Sequence, residues 1–383
     1  MPSLLMVTTV PETLRGFLLP FAAHFRRRAF RVDAMARGVS RCHECVAGFD
    51  RVWEVSWSRN PLDPRNLGTA RRRVLEAVSR GSYDLIHVHT PVAAFVSRLA
   101  LRGRGSTTGP RVVYTAHGFH FYRGGPPLRG AVFRALETLA ARWTDYLVVM
   151  NREDEEAARR LLPPERVWYM PGIGVDRHRY APEAVTEAEV EGVQRELGLR
   201  VGERLFLMIA EFIPRKRHRD ALAAFARLGR VDARLAFAGT GPLEEAMKRR
   251  VAELGLTGRV HFLGLRRDIP ALVRASVAVL LPSDQEGLPR SAMESLSLGV
   301  PVVGSRIRGT ADLLASGGGL LVSVGDVAAL AGALGRILDY PEQAREMGRR
   351  GREHMADYDL ERVIGLHERL YEEALRGPIA VRA

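Results

Sequence analysis

Short apolar runs alternate with helical patterns along the first half of the chain. Continuous apolar runs are typical of buried strands, and apolar residues spaced three and four apart are typical of helices packed on one face. The strand-like stretches are SLLMVTT, YDLIHVH, PRVVYTAHG and DYLVVMN, and the helix-like ones are TLRGFLLPFAAHFRRR, PVAAFVSRLALRG and LRGAVFRALETLAARW. This order predicts a doubly wound parallel sheet.

A loop rich in proline and glycine, YMPGIGVDRHRYAPEAVTEAE, leads into a second half with the same alternation. Its apolar runs are RLFLMIAEF, ARLAFAGTG, RVHFLG, SVAVLLPS, VPVVGS and GGLLVS, and an amphipathic helix follows the last of them. We therefore predict an α/β protein with two Rossmann-like domains, residues 1–180 and 181–357, that face a central cleft. The C-terminal helix, at about 358–375, is expected to pack back on the first domain.

The stretch EGLPRSAMESLSLGVPVV places two glutamates around a tight loop between a predicted strand and a predicted helix. Glu286 is expected in the loop over the carboxyl end of the strand and Glu294 about one turn inside the helix, at the edge where parallel α/β sheets bind ligands. Carboxylates accept hydrogen bonds from hydroxyl groups, so the pair suits a sugar. The alternative is that both glutamates face solvent.

The start of the same helix favours an anion. Its first N–H groups point outward and carry about half a positive charge, a combination that binds phosphate. The N–H groups expected to be available are those of Arg290, Ser291 and Ala292. Hydroxyl acceptors beside a phosphate site indicate a sugar nucleotide as the ligand.

Length and composition place the chain among globular proteins. Its 383 residues predict about two domains, and the hydrophobic and charged contents of 46% and 26% are ordinary. No apolar run is long enough to span a membrane, and Glu12 and Arg15 interrupt the apolar N-terminus. These features predict a cytoplasmic protein.

The net charge of +13 lies almost entirely in the first half. Residues 1–180 hold 28 Arg, no Lys and 16 acidic residues, which gives +12. Such a field attracts nucleic acid, an anionic membrane or an acidic substrate. No signature of a nucleic-acid reader occurs, so nucleic acid is not expected as a partner.

One predicted helix combines this charge with an apolar face. Three arginines, Arg26 to Arg28, end a helix that carries Leu18, Leu19, Phe21 and Phe25. The pattern suits a helix that lies on an anionic membrane surface. The alternative is that the apolar face packs on the sheet and the arginines are solvated.

Lysine and cysteine are rare enough to examine singly. Lys216 and Lys248 are the only lysines among 57 basic residues, so each is a candidate for a specific role. Cys42 and Cys45 form the only C-x-x-C pair, which we interpret as two reduced thiols. No cluster of His, Asp and Glu with the spacing of metal ligands is recognised, so no metal site is expected.

The motifs of the second half resemble those of retaining glycosyltransferases of family 4, which have the GT-B fold. Glu286 and Glu294 match the family's E-x7-E signature. The first half resembles a narrower group that acts in bacterial surface-polysaccharide and lipid-linked oligosaccharide assembly. The stretches that carry these likenesses are FLGLRRDIPALVRAS, GVPVVGS and GGGLLVSVGD in the second half and DLIHVHTPVAAFVSRL, VVYTAHGFHFYRGGPPL, RWTDYLVVMNREDEEAA and MPGIGVD in the first.

The resemblance implies roles for residues on the donor side. Glu286 would hold hydroxyls of the donor sugar, Glu294 those of the ribose, and Lys216 the diphosphate. Glu211 stands where the family has an arginine, and Arg215 is a possible substitute. The loop and helix start would contact the sugar and diphosphate through Gly287, Leu288, Pro289, Arg290 and Ser291.

The resemblance also implies roles for residues of the first half. His117, just after a predicted strand, would lie beside the anomeric carbon and bond a hydroxyl of the sugar or the acceptor. The acceptor-side candidates are His120, Tyr122 and Arg123. His87 and His89 are expected to be structural, and the family's N-terminal glycine-rich loop is replaced by TTVPETLRGF.

Together these features predict a metal-independent, cofactor-free transferase. It would move a sugar, expected to be N-acetylhexosamine, from a UDP-sugar to a polyprenyl-diphosphate-linked glycan at the inner membrane face. Retention is expected by front-face displacement. Two alternatives stay open: a UDP-sugar epimerase of GT-B fold, and a non-catalytic basic module that binds anionic lipid or nucleic acid.

Overall fold

The computed structural model describes residues 1–58, 63–103 and 109–376. The chain divides into two compact units, Met1–Ile173 with the residues from Val363 on, and Gly174–Arg362. The first boundary lies several residues before the position chosen from the sequence. Within the described residues, no helix is both long and apolar enough to cross a membrane.

The first unit is built on a seven-stranded parallel sheet with the strand order β3-β2-β1-β4-β5-β6-β7. The strands are β1 Ser3–Val7, β2 Arg31–Ala36, β3 Arg51–Glu54, β4 Leu85–His89, β5 Arg111–Ala116, β6 Tyr146–Val149 and β7 Val167–Tyr169. The helices are α1 Pro11–Thr13, α2 Leu19–Arg27, α3 His43–Gly48, α4 Arg71–Gly81, α5 Pro91–Leu101, α6 Pro127–Ala141 and α7 Arg152–Ala158. A π-helical turn, Leu14–Leu18, joins α1 to α2.

Three of these strands, β2, β3 and β7, are absent from the sequence prediction. β2 carries Asp33 in its middle, which breaks the apolar pattern. The carboxylate is buried and accepts a hydrogen bond of 2.5 Å from the Tyr83 hydroxyl. The oxygen of that hydroxyl accepts a hydrogen bond of 2.7 Å from the Trp53 indole N–H. β3 and β7 are short strands at the two edges of the sheet. Partners distant in sequence thus make an acidic residue compatible with a central strand.

The second unit contains a six-stranded parallel sheet with the order β10-β9-β8-β11-β12-β13. The strands, each of which the sequence pattern predicts, are β8 Arg204–Ile209, β9 Ala233–Ala238, β10 Val260–Phe262, β11 Ser276–Leu281, β12 Val302–Ser305 and β13 Gly319–Val322. The helices are α8 Glu187–Glu196, α9 His218–Leu228, α10 Glu244–Glu253, α11 Ile269–Arg274, α12 Arg290–Ser297, α13 Thr310–Leu314, α14 Val327–Asp339 and α15 Pro341–His354. Two Rossmann-like α/β units are therefore present, which confirms the predicted fold class.

The C-terminal helix α16, Leu360–Leu375, supplies the packing partner of α2. The ring of Phe21 lies 4.9 Å from that of His367, and the ring of Phe25 lies 4.8 Å from that of Tyr371. Both phenylalanines are buried. The apolar face of α2 is therefore part of the protein core.

This packing corrects the expectation that α2 lies on a membrane through that face. The arginines at its end are engaged with the protein as well: Arg26 pairs with Asp50 at 3.0 Å and Arg28 with Glu368 at 2.9 Å. The alternative for this helix, an apolar face packed on the sheet with solvated arginines, is correct in that the face is buried, but the face also meets α16 and two of the arginines are ion-paired. The pattern of a single helix cannot distinguish a membrane from a neighbouring helix, because both are apolar.

Candidate functional site

Glu286 and Glu294 lie at the carboxyl end of β11, where the loop after that strand leads into α12. Both side chains are buried, with exposed fractions of 7% and 6% for the residues. The alternative of two glutamates facing solvent is therefore wrong. Buried carboxylates need partners, because an isolated buried charge is costly.

Lys216 is the partner of Glu286. It ends a short 3-10 turn, Pro214–Lys216, after β8, the strand next to β11 in the sheet. Its Nζ lies 2.5 Å from Glu286 Oε1, and both side chains are largely buried. The loops after two adjacent parallel strands thus bring together two charges that are 70 residues apart in sequence. A diphosphate and a sugar hydroxyl could each replace one partner of this pair.

Glu294 has two partners of its own. Arg290, one turn earlier on α12, donates from Nε to Glu294 Oε1 at 2.6 Å. The Tyr180 hydroxyl also hydrogen-bonds Glu294, and burial together with this carboxylate raises the pKa of Tyr180. Tyr180 was not among the sequence candidates, since it lies in the Pro/Gly-rich loop and no local pattern marks it.

The loop between Glu286 and α12 is held by close backbone packing. Gly309 has φ of 71°, and a Cβ built there would lie 1.9 Å from the carbonyl oxygen of Gly287, so only glycine fits. Arg308 donates from Nε to the carbonyl of Glu286 at 3.3 Å. The loop is therefore fixed from behind by the segment that follows β12.

At the start of α12, one of the three backbone N–H groups expected to be available to an anion is already hydrogen-bonded. The N–H of Ala292 donates to the carbonyl of Pro289 at 3.2 Å, so it is not available to an anion. Pro289 is buried, whereas four of its neighbours are half-buried along the loop and first turn: Gly287, Leu288, Arg290 and Ser291.

Arg215 lies beside the same loop. Its side chain donates to the carbonyl of Gln285 at 3.4 Å, and its own carbonyl accepts from the N–H of Asp284 at 3.0 Å. Arg215 is exposed, as is Glu211. The position proposed as a substitute for the missing arginine is therefore at the site, with its charge accessible.

In the first unit, His117 belongs to a cluster of histidines at the ends of β4 and β5. His89 Nδ1 lies 3.1 Å from His117 Nε2, and the rings of His87 and His89 stack at 4.1 Å. His87 is bonded through both ring nitrogens, to the hydroxyls of Thr115 and Tyr371. The expectation that His87 and His89 are buried structural residues agrees with this geometry, but His89 also positions the ring of His117.

Burial keeps this cluster neutral. It lowers the pKa of His117 to about 4, with a further contribution from His367, and it lowers the pKa values of His87 and His89 well below the ordinary value. In a neutral pair one imidazole donates and the other accepts, so one proton is shared between His89 Nδ1 and His117 Nε2, while His89 Nε2 is buried without a hydrogen-bond partner among the described residues. At pH 7, His117 therefore carries no charge.

The acceptor-side candidates follow β5. The ring of His120 contacts that of Phe133 of α6 in a tilted arrangement with centroids 4.7 Å apart, and Tyr122 lines a groove of about 660 Å³ beside α6. Arg123 is exposed and its guanidinium pairs with Glu156 at 2.9 Å. The predicted residues thus fall into two groups, one in each unit.

Comparison with known proteins also divides the chain into an N-terminal and a C-terminal part. Residues 17–179 match the family described as Glycosyltransferase Family 4, and residues 190–354 match Glycosyl transferases group 1. Two relatives are 29% identical to the chain. EpsD of Bacillus subtilis (strain 168), named as a glycosyltransferase, aligns over 94% of both chains. The UDP-Gal:alpha-D-GlcNAc-diphosphoundecaprenol alpha-1,3-galactosyltransferase of Escherichia coli aligns over 68% of both.

A solved structure shares the fold over the whole chain. HepE of Anabaena, in complex with UDP and glucose, superimposes with a TM-score of 0.81 at 18% identity and covers 97% of this chain and 100% of that one. The alternative of a non-catalytic binding module is not supported by these matches. The chain is a glycosyltransferase of GT-B fold, with an N-terminal part of glycosyltransferase family 4 and a C-terminal part of the group 1 glycosyl transferases.

Proposed function

We propose that the protein transfers N-acetylhexosamine from a UDP-sugar, with retention, to a polyprenyl-diphosphate-linked glycan at the inner face of the cell membrane. The observation that carries the proposal is the buried contact of 2.5 Å between Lys216 and Glu286, with Glu294 close by in sequence on α12. A cation for phosphate and two hydroxyl acceptors are the groups that a sugar nucleotide needs.

The proposed chemistry uses these groups without a metal or cofactor. The bond between the anomeric carbon and the β-phosphate oxygen breaks, and its electron pair leaves with UDP. Lys216, Arg215 and the start of α12 stabilise the charge that develops on the diphosphate. The acceptor oxygen bonds to the same face of the anomeric carbon, and its proton passes to the departing phosphate. Glu286 orients the sugar and is not a nucleophile.

His117 would serve the reaction as a neutral group. Because its pKa is lowered to about 4, it would bond a hydroxyl of the sugar or acceptor without adding charge. On the acceptor side, we assign His120, Tyr122 and Arg123 to the glycan-diphosphate. The name of the E. coli relative supports a lipid-linked acceptor, since that enzyme is named for a diphosphoundecaprenol substrate.

The donor is tested with a panel of nucleotide sugars. UDP-GlcNAc and UDP-GalNAc are expected to raise the melting temperature and to be consumed with a polyprenyl-diphosphate glycan. The panel includes UDP-galactose, for which the E. coli relative is named. Stabilisation by UDP-galactose alone would reject the N-acetylhexosamine proposal. A new sugar epimer formed from donor without acceptor would identify an epimerase.

The two lysines of the chain provide a matched pair of variants. Lys216→Ala is expected to weaken UDP binding at least tenfold, because it removes a charge-assisted contact with the diphosphate. Lys248→Ala serves as the control, since Lys248 pairs with Glu244 and Glu245 on the surface of α10. Equal UDP affinity in both variants would contradict the assigned role of Lys216.

A further inference from the structure

Helix α6 exposes a continuous apolar stripe. Leu128 is 81% exposed, Val132 53% and Leu139 40%, and Ala135 between them is exposed as well. The four residues are spaced i, i+4, i+7 and i+11, so they lie along one side of the helix. Exposed apolar side chains aligned in this way indicate a contact surface.

The opposite side of α6 is anchored in the first unit. Glu137 is buried and pairs with Arg98 of α5 at 2.8 Å, and the Tyr114 hydroxyl donates to Glu137 at 3.0 Å. Phe133 on the inner side contacts His120. This anchoring fixes the orientation of α6, so its apolar stripe cannot turn inward without breaking a buried ion pair.

Arginines flank the stripe on both sides. Arg129 lies on one side and Arg134 and Arg142 on the other, and none of the three is ion-paired with an acidic side chain in the part of the chain that the structure describes. From His117 to Thr144 the sequence has four arginines and a single acidic residue, which is the buried Glu137. The exposed surface of α6 is therefore apolar along its middle and cationic at its borders.

This arrangement matches a helix that lies in the interface of an anionic membrane, with apolar side chains among the acyl chains and arginines at the headgroups. The groove beside α6, lined by Phe121, Tyr122 and Pro126 among others, offers apolar surface next to the stripe. A second copy of the chain is a less suitable occupant, because two such helices would oppose their unpaired arginines.

We propose that the exposed face of α6, defined by Leu128, Val132, Leu139 and the flanking arginines, docks the protein on an anionic lipid bilayer. This inference rests on the proposed function in one respect, because a membrane-embedded acceptor gives the docking its purpose. It replaces α2 as the membrane-facing element, and Tyr122 places the acceptor candidates next to the docking surface.

Sedimentation with vesicles tests the proposal. The full chain is expected to bind vesicles that contain phosphatidylglycerol at low salt and to dissociate from them as salt is added. It is not expected to bind vesicles of pure phosphatidylcholine. The variant R129Q/R134Q/R142Q is expected to lose affinity on the order of 100-fold, at about fivefold per arginine. L128S/V132S/L139S is expected to bind more weakly at every salt concentration.

The three arginines at the end of α2 provide the matched control. R26Q/R27Q/R28Q removes the same net charge from the same unit but leaves α6 intact, so its vesicle affinity should stay within a few-fold of the wild type. Equal losses in the two arginine variants would show a general charge effect and overturn the proposal, as would a wild-type protein that does not sediment. Wild-type dimers that dissociate in the α6 variants would identify the face as a self-interface, which also overturns it.

The proposed transferase function is measured separately on the same proteins. Melting temperature and UDP affinity should be equal in the wild type and the α6 variants, which shows that they fold and keep the donor site. Vesicle binding without any sugar transfer would reject the proposed function and leave the docking surface standing. Sugar transfer to a detergent-solubilised acceptor without vesicle binding would reject the docking surface and leave the proposed transferase function standing.

Discussion

The two glutamates of the donor site differ in how they are held. Glu286 contacts the single ammonium group of Lys216, whereas Glu294 is bonded by both Arg290 and Tyr180. A carboxylate fixed from two directions presents its remaining lone pairs in a defined orientation, which suits recognition of neighbouring ribose hydroxyls.

Glu294→Ala should weaken UDP binding at least tenfold. Each charge-assisted hydrogen bond to the ribose contributes about 1.5 to 3 kcal/mol, and the substitution also leaves Arg290 without its carboxylate. Binding isotherms with UDP measure the change. Glu342→Ala, at an exposed residue of α15 that pairs with Arg345, is the control and should bind UDP normally. Unchanged affinity in Glu294→Ala would show that Glu294 does not contact the nucleotide.

The histidine cluster predicts a loss of stability in mild acid. The pKa values of His117 and His367 are lowered to about 4, and those of His87 and His89 also lie well below the ordinary value, in each case mainly because of burial. The unfolded chain, with histidine pKa near 6.5, therefore binds more protons than the native state between about pH 6.5 and 4. Stability is fully present above this window and falls as the pH decreases through it.

Denaturant titrations from pH 7.5 to 5 measure this effect. Each such histidine contributes a slope of up to about 1.4 kcal/mol per pH unit. His367→Phe should make the pH dependence shallower, because it removes one of the groups that must be protonated on unfolding. A free energy of unfolding that does not change over this range would contradict the neutral cluster.

At the scale of elements, the segment after β12 decides the shape of the donor loop. Gly309→Ala should destabilise the second unit by more than 1 kcal/mol and weaken UDP binding, since its φ of 71° and the nearby carbonyl of Gly287 leave no space for a Cβ. Gly332→Ala, at an open position inside α14, should instead stabilise the protein by about 0.5 to 1 kcal/mol. Thermal melts and UDP isotherms of both variants provide the comparison, and a Gly309 variant as stable as the Gly332 one would exclude the steric argument.

Helices α2 and α6 have similar sequence patterns, but their surroundings bury the apolar face of one and leave that of the other exposed. Both combine apolar residues with arginines. The apolar side of α2 meets His367 and Tyr371 of α16, whereas α6 keeps a second apolar stripe that nothing in the described chain covers. The amphipathic pattern predicts the helix in each case, but the neighbour that covers its face is supplied by the fold.

At the scale of the whole molecule, the reaction is expected to survive chelation of metals. The proposed mechanism assigns the charge of the leaving diphosphate to Lys216, Arg215 and backbone N–H groups. Transfer rates with and without EDTA should therefore agree. A complete loss of transfer that manganese or magnesium restores would contradict this assignment. The transfer rate of Lys216→Ala with added magnesium shows whether a divalent cation can replace the lysine at the diphosphate.

Local residue patterns were enough to predict the second sheet, four of the seven strands of the first sheet and the residues with unusual chemistry. All six strands of the second sheet follow from continuous apolar runs, and the E-x7-E spacing with the strand-loop-helix pattern places both glutamates at the carboxyl edge. These features are local: a strand buried on two faces needs an apolar sequence whatever its partners are.

Contacts between residues that are distant along the chain follow instead from the three-dimensional packing. Asp33 is acceptable in β2 because of Tyr83, Glu286 meets Lys216 across 70 residues, and Tyr180 reaches Glu294 from a loop without any sequence signal. Burial of the α2 face and exposure of the α6 face are decided in the same way. Sequence periodicity describes each element's own surface, whereas contact, burial and charge pairing depend on elements that are distant along the chain.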